Sequence, residues 1–419
     1  GWPATDWMEE FMLRTTSLEN YDKWTTGELP FSSPEVKGAA EALAEVWFND
    51  DYVYGGKASI VSTFFGDSPT PMFEDPPKCW MHKQGNFITG FFPEGSEAGV
   101  DYDFFYLPPV DDAYGKPFLV AGDMMSMFND RPEVRALMEF FTTPQSASGW
   151  LQNGGALAAH QTATPEMYGV DLERGIAALV SEATSFRFDG SDLMPGEVGA
   201  GSFWTGMTDY VSGAADLDTV LAEIDASWPE GVSGQVATAE EGGMGEMSQF
   251  GYAYMPGVFL DKAINGDFSG TDVTGDRHFT DTYDMRLFES VAAFVVASVI
   301  IVNYIGDKEF EALLSIAVDA GNAADIAVFP QPGKAAVYAR QGYIVDPTSW
   351  MSAEWWKQQY NQSWIDMTTL EGPDGAAMIG GVFHRFNGKS LVWYPKDDWD
   401  AAGYEVPETW DDLLTLTQM

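Results

Sequence analysis

Short β-branched and aromatic runs alternate with amphipathic helical stretches, and nothing else in this sequence narrows the fold as much. Tyr102-Asp103-Phe104-Phe105-Tyr106-Leu107 reads as a strand closed by Pro108-Pro109, and Asp325 to Phe329 as a short buried strand ending at Pro330. Pro34 to Asn49 predicts a helix with Val36, Ala40, Leu43, Val46 and Trp47 on one face. Pro132 to Phe141, Leu217 to Ile224 and Glu309 to Ala320 predict further helices, and the first residues enter an amphipathic helix through Leu13. Strands alternating with helices argue for an α/β fold with mainly parallel sheets. The stretch from Pro229 to Gly251 is rich in Gly, Glu and Ser without periodicity and reads as a linker.

A chain of 419 residues has ample surface to bury, and 45% apolar content with 14% aromatics excludes a disordered polymer. Its 64 acids against 21 bases repel phosphate over most of the surface, so nucleic acid is not an expected partner. No run reaches the roughly 18 to 20 apolar residues of a membrane span. The longest, Val291 to Val302, is interrupted only by Ser298 and reads as a buried strand after a short helix.

Catalytic chemistry finds little support. His82, His160, His278 and His384 are scattered without metal-ligand spacing, and no nucleophile elbow, phosphate loop or dinucleotide fingerprint is present. The acid pairs Asp101/Asp103 and Asp189/Asp192 would suit glycoside hydrolysis, but 64 acids produce such pairs by chance. No enzyme, metal or cofactor is expected.

Aromatics placed beside polar side chains are more telling. A sugar offers apolar C–H faces to flat rings and a rim of hydroxyls to carboxylates, amides and arginine. Phe329 stands beside Gln331, and Phe87 beside Gln84 and Asn86. Trp204 follows Gly201-Ser202, Trp364 lies near Asp366, and Trp2 and Trp7 flank Asp6. For each alone, an ordinary core aromatic is the competing reading. Asp123, after Gly122, and Arg187 with Asp189 are the expected polar partners.

Both ends of the chain read as interior sequence. Thr409 is a plausible N-cap for a helix with acids in its first turn, which stops at Met419, and Gly1-Trp2-Pro3 leads straight into a helix with no leader before it. The strings Asp325-Ile326-Ala327-Val328-Phe329-Pro330-Gln331-Pro332-Gly333, Lys389-Ser390-Leu391-Val392-Trp393-Tyr394-Pro395-Lys396 and Val406-Pro407-Glu408-Thr409-Trp410 carry a family resemblance. So do Gln84-Gly85-Asn86-Phe87, Ser185-Phe186-Arg187-Phe188-Asp189-Gly190-Ser191-Asp192 and Gly201-Ser202-Phe203-Trp204. With them the chain resembles the ABC-transporter extracellular solute-binding proteins of family 1, α-glucoside type, over nearly its whole length. In that family the Phe-Pro-Gln-Pro-Gly block comes early and the Gly-Ser-Phe-Trp block late; here the order is reversed, as in a circular permutant.

The resemblance implies a two-lobed periplasmic-binding-protein-like fold of type II, each lobe a mainly parallel sheet flanked by helices. One lobe would join 245–360 with 101–144, the other 361–419 with 1–100 and 145–230, and 229–251 would link the family's usual termini. It also implies an interlobe sugar site and puts Phe87, Trp204 and Phe329 where related sugar binders place stacking rings; the residues read above complete the expected set with Trp2, Asp6, Gln84, Asn86, Asp123, Arg187, Asp189, Gln331 and Trp364. The partners would be a small sugar and the transmembrane permease subunits, the protein a monomer in the periplasm or cell exterior, with a lipid anchor on the parent protein. A permuted scaffold or sensor of the same fold, and a secreted glycoside hydrolase, stay open as alternatives. Val295 to Val299 and Gly275 to Asp281 depart from the family pattern. The family's second cysteine, in a loop expected between Met419 and Gly1, is missing, which leaves Cys79 an unpaired thiol.

Overall fold

Local chemistry sets most helix starts. The computed structural model, which describes residues 1–234, 314–321 and 323–417, begins with α1 (Trp2–Thr15), α2 (Leu18–Thr26), α3 (Pro34–Trp47) and α4 (Lys57–Ser62). The Ser17 and Ser33 hydroxyls accept the Asn20 and Val36 amides at 3.2 and 3.4 Å, capping α2 and α3. Pro34 at the first turn of α3 needs no hydrogen bond, and Val36, Ala39, Ala40, Leu43 and Trp47 recur at helical spacing on its buried face. Then come α5 (Pro132–Phe141), α6 (Ser148–Asn153), α7 (Asp171–Glu182), α8 (Gly190–Leu193), α9 (Trp204–Ser212) and α10 (Leu217–Ala226). The later helices are α11 (Pro332–Arg340), α12 (Ala353–Gln359), α13 (Gln362–Thr368), α14 (Lys396–Ala402) and α15 (Trp410–Thr417). Thr409 caps α15 as expected: its hydroxyl accepts the Asp412 amide at 3.2 Å, and Asp412 Oδ2 accepts the Thr409 amide at 3.2 Å.

The strands are β1 (His82–Lys83), β2 (Tyr102–Tyr106), β3 (Pro117–Ala121), β4 (Met124–Met127), β5 (Leu157–Ala158) and β6 (Ser185–Phe188). Further along lie β7 (Ile326–Phe329), β8 (Thr369–Glu371), β9 (Ala377–Ile379), β10 (Val382–Phe383), β11 (Arg385–Gly388) and β12 (Leu391–Pro395). Their orders are β1-β12-β2, β10-β4-β7, β5-β11-β3-β6 and β8-β9. Every residue of β3, β4, β11 and β12 is buried, so these strands read as continuous apolar runs or carry polar side chains with buried partners.

Mixed helix and sheet is what the alternation predicts; mainly parallel sheet is not what forms among the described residues. Only the pairing of β3 with β6 is parallel there, and the others, β12 with β2 and β4 with β7 among them, are antiparallel. The reason is connectivity. β3 reaches β6 through α5, α6 and α7, a crossover long enough for parallel pairing, whereas most other partners meet from distant segments in opposed directions. The expected strand at Val291–Val302, the start of the helix from Glu309, the departures at Gly275–Asp281 and most of the 229–251 linker lie outside the described residues.

One large apolar cluster runs from Met8 and Phe11 on α1 through Phe118 and Val120 on β3 to Trp393 on β12. A smaller one gathers Phe105, Leu107, Tyr394 and Trp399. Cys79 is a partly buried free thiol whose Sγ donates to Met81 O at 3.2 Å, and burial pushes its pKa up.

Candidate functional site

Where β3 ends, its carbonyls fix two charged residues side by side. Leu119 O accepts the Lys389 amide at 2.8 Å, and Val120 O accepts the Asp189 amide at 2.7 Å. Asp189 then caps α8: its Oδ1 accepts the Asp192 amide at 3.2 Å and the Ser191 hydroxyl at 2.8 Å. Helix α1 crosses this end of the sheet and presents Asp6, Glu9, Glu10 and Arg14 inward at spacings of three and four. The Lys389 ammonium donates to Asp189 Oδ2 at 2.5 Å and Asp6 Oδ1 at 3.0 Å, while Lys83 donates to Asp6 O at 3.4 Å. Glu9 Oε1 accepts the Ser191 amide at 3.0 Å. Gly199 belongs to a π-helical turn, Glu197–Phe203, that leads into α9; a Cβ there would sit 1.8 Å from Ser191 O. That contact sets Trp204 against α8, with its Nε1 donating to Ser191 Oγ at 3.2 Å.

These charges are buried, and burial dominates their titration. It raises Asp6 to about 6, against the opposing pull of Lys389. It raises Glu9 well above its ordinary range, and the Asp189 and Asp6 charges add to the rise. Asp189 feels the same burial, but the Lys389 ammonium and its hydrogen bond outweigh it and leave the carboxyl below its ordinary value. For Asp6 and Glu9 the folded chain holds its protons to higher pH than the unfolded chain. Their stabilisation is complete below the unfolded values and is lost as pH rises through the folded ones. The depressed Asp189 acts oppositely, losing its contribution only as acid carries pH below its unfolded value. The unfolding free energy is therefore expected to fall between about pH 4 and 7, by at most about 1.4 kcal/mol per pH unit for each proton lost, and the melting temperature with it. Glu9→Gln should flatten that fall, as thermal melts across the range would read; an unchanged slope would count against a neutral Glu9.

Beside this network opens a cavity of about 1150 Å³. Trp2, Asp6 and Trp7 of α1 line it, with Lys83 and Gln84 from and after β1. Its other walls are Trp47 at the end of α3, the segment from Tyr52 to Ser68, and a stripe of α15. That stripe is Trp410, Leu413, Leu414 and Thr417, one face of a helix by spacing. The Trp2 ring meets Phe65 and Phe87 at centroid distances of 4.9 and 5.8 Å, and Lys389 Nζ stands 5.5 Å above it.

Of the residues expected to bind, the structure thus brings Trp2, Asp6 and Gln84 to the cavity, with Phe87 touching Trp2. Asp189 and Trp204 stand behind that wall, joined to it through Lys389, Ser191 and Gly1. Gln331 hydrogen-bonds Asp192 on the far side of α8. The rest are engaged elsewhere. Arg187 makes a two-pronged pair with Asp22 at 2.6 and 2.9 Å, and Asp123 accepts from Arg385 at 2.7 Å. Asn86 Oδ1 accepts the Asn387 side chain and the Gly388 amide. Phe329 packs in the core on Phe128 and Tyr338, and Trp364 on Phe383 and Phe386. Trp364 and Phe329 face apolar neighbours because each follows a buried stripe, the reading that competed with ligand stacking from the start. Lys389, Lys83 and Glu9 were missed. A lysine between the fully buried strands β11 and β12 was the available signal for the first of them.

The family model of the bacterial extracellular solute-binding proteins matches residues 299–418 of this chain. The chain is 45% identical over 232 residues to the alpha-glucosides-binding periplasmic protein AglE of Rhizobium meliloti (strain 1021), an alignment covering 54% of this chain and 50% of that protein. It is 44% identical over 232 residues to the osmoprotective compounds-binding protein GgtB of Synechocystis sp. (strain ATCC 27184 / PCC 6803 / Kazusa), covering 55% of this chain and 54% of GgtB. The chain spans about half the length of the curated relatives it matches. No solved structure matches it. No described helix is long and apolar enough to cross a membrane.

Proposed function

We propose that this chain is the substrate-binding component of an ABC sugar importer, holding an α-glucoside or similar oligosaccharide reversibly and delivering it to the permease subunits. The observation that carries the reading is the aromatic-walled cavity with Asp6, Lys83 and Gln84 among its lining. Indole faces of Trp2 and Trp7 suit the C–H faces of a pyranose, and the carboxylate, ammonium and amide suit its hydroxyls. At about 1150 Å³ the space lies just above the usual range of about 300–1,000 Å³ for small-molecule sites, room for more than one ring. The names of AglE and GgtB, an α-glucoside binder and an osmoprotectant binder, support a small neutral ligand. In this reading Asp189 and Trp204 support the site from behind, the protein acts as a monomer outside the cytoplasmic membrane, and no bond is made or broken.

The same reading takes the chain as two lobes whose segments are rotated relative to the family. One fact supports rotation: α1 and α15 wall one cavity, with the Phe11 and Trp410 rings 5.5 Å apart.

Calorimetry with a panel of α-linked disaccharides tests the function, together with a reducing-sugar assay. Reversible binding without turnover is expected; released reducing sugar would transfer the case to a hydrolase. Trp2→Ala should weaken binding by about 1–3 kcal/mol through the lost stacking face, and unchanged affinity would move the site away from α1.

A further inference from the structure

Lys389 does not line the cavity, yet its ammonium holds two residues that do. It donates to Asp6 Oδ1 at 3.0 Å and stands 5.5 Å above the Trp2 ring, while Asp189 Oδ2 anchors it from behind at 2.5 Å. Asp189 is itself fixed, since Val120 O accepts its amide at 2.7 Å and its Oδ1 accepts the Ser191 hydroxyl at 2.8 Å. Asp6 Oδ2 is buried and has no partner among the described residues. A buried carboxylate oxygen without a donor is costly, and in a cavity wall a ligand hydroxyl can supply that donor. The charges facing Asp6 are Glu9 on α1, Lys83 on β1, Lys389 ahead of β12, and Asp189 with Asp192 at α8. The Gly1 amino group feels Asp6 in turn, and Glu10 shares Lys83 at 3.5 Å.

We propose that Lys389 is a positioning residue of the sugar site: it fixes the Asp6 carboxylate and the Trp2 ring as the ligand meets them, and through Asp6 it makes sugar affinity depend on pH. This rests on the sugar-binding reading above and adds to that site a residue outside its lining and a means of control. An ionised Asp6 accepts a ligand hydroxyl in a charge-assisted hydrogen bond; a protonated one gives that up and loosens its hold on the ammonium. Burial raises the Asp6 carboxyl to about 6 against the pull of Lys389, so the change falls in mildly acid solution. Binding that requires the ionised form is complete above that value and is lost as pH falls through it.

The test is calorimetric titration of the full chain with maltose across about pH 5 to 8. Affinity is expected to change little between about pH 8 and 7 and to fall about ten-fold from pH 7 to 5. Asp6→Asn should bind more weakly at neutral pH and show no such fall. Two variants outside the cavity should move the midpoint of the fall in opposite directions. Lys389→Met removes the cation that keeps Asp6 ionised, so the fall begins at higher pH. Asp189→Asn removes a repelling charge and leaves the ammonium to Asp6, so the fall begins at lower pH. Asparagine still caps α8, so this second variant gives the answer if Lys389→Met does not fold. A merely structural role would lower affinity in either variant without moving the midpoint. Maltose affinity that stays flat with pH, a fall that survives Asp6→Asn, or midpoints unmoved in the variants overturns the proposal and leaves the sugar reading standing. No binding at any pH by maltose or the panel of α-linked disaccharides overturns both.

Discussion

Lys389→Met is expected to lower the unfolding free energy by about 3–5 kcal/mol, as the loss of one partner from a buried ion pair does elsewhere. The methionine keeps the length of the side chain and most of its apolar stem, so packing changes little. What disappears is the ammonium between Asp6 Oδ1 at 3.0 Å and Asp189 Oδ2 at 2.5 Å. Burial alone would drive the proton from Lys389, yet Asp189 and Asp6 outweigh it and hold the ammonium well above its ordinary pKa. Without it two buried carboxyls face each other with Glu9 nearby, and each must take up a proton or remain desolvated and unpaired. Urea unfolding of Lys389→Met, and of the same change combined with Asp6→Asn and Asp189→Asn, separates the charge from the packing. The triple variant should recover much of the loss, because neutral amides remove the repulsion. A loss below about 1 kcal/mol in the single variant would show the network to be solvated.

Trp393→Ala should cost a similar amount, about 3–5 kcal/mol, by a different route. Trp393 is fully buried in the middle of β12, with Phe92, Phe104 and Tyr102 at centroid distances of 5.7, 5.7 and 6.2 Å. Truncation empties that space and removes the donor to Gln84 O, held at 2.8 Å, leaving a buried carbonyl without its partner. Trp393→Phe fills most of the volume but still lacks the indole N–H, so a smaller loss is expected. Because Gln84 lines the cavity, sugar affinity should fall alongside stability in both variants. Equal denaturation midpoints for parent and Trp393→Ala would contradict the packing described for β12.

Helices were legible wherever start signals and spacing agreed, and α3 and α5 begin at the proline that announces them. α15 was legible from Thr409 and the acids behind it. Sheet direction was not, because the partner of a strand is a long-range fact: nothing near Ile326 says that Met127 will lie opposite it in antiparallel register. The site divides along the same line. Trp2 and Asp6, four apart on one helix, could be read as a pair. Arg187 looked free for a ligand until Asp22 of α2 was brought against it by the fold. Lys389 and Glu9 escaped because a buried lysine and a buried acid are intelligible only together, and 380 or so positions separate them.

That separation governs how the chain folds. The Asp6–Lys389 bond spans 383 positions and the Glu10–Ser390 bond 380. β2 waits in the same way for β12, with Tyr102 to Tyr106 pairing Pro395 to Leu391. Closing a loop of that length costs entropy before any contact repays it, which places the protein among slow, high-contact-order folders. On the ribosome, α1 carries Asp6 on an amphipathic face, and the Lys389 ammonium that pairs with it is hundreds of peptide bonds from being made. Until Lys389 emerges, that face is a sticky, half-apolar surface open to chaperones.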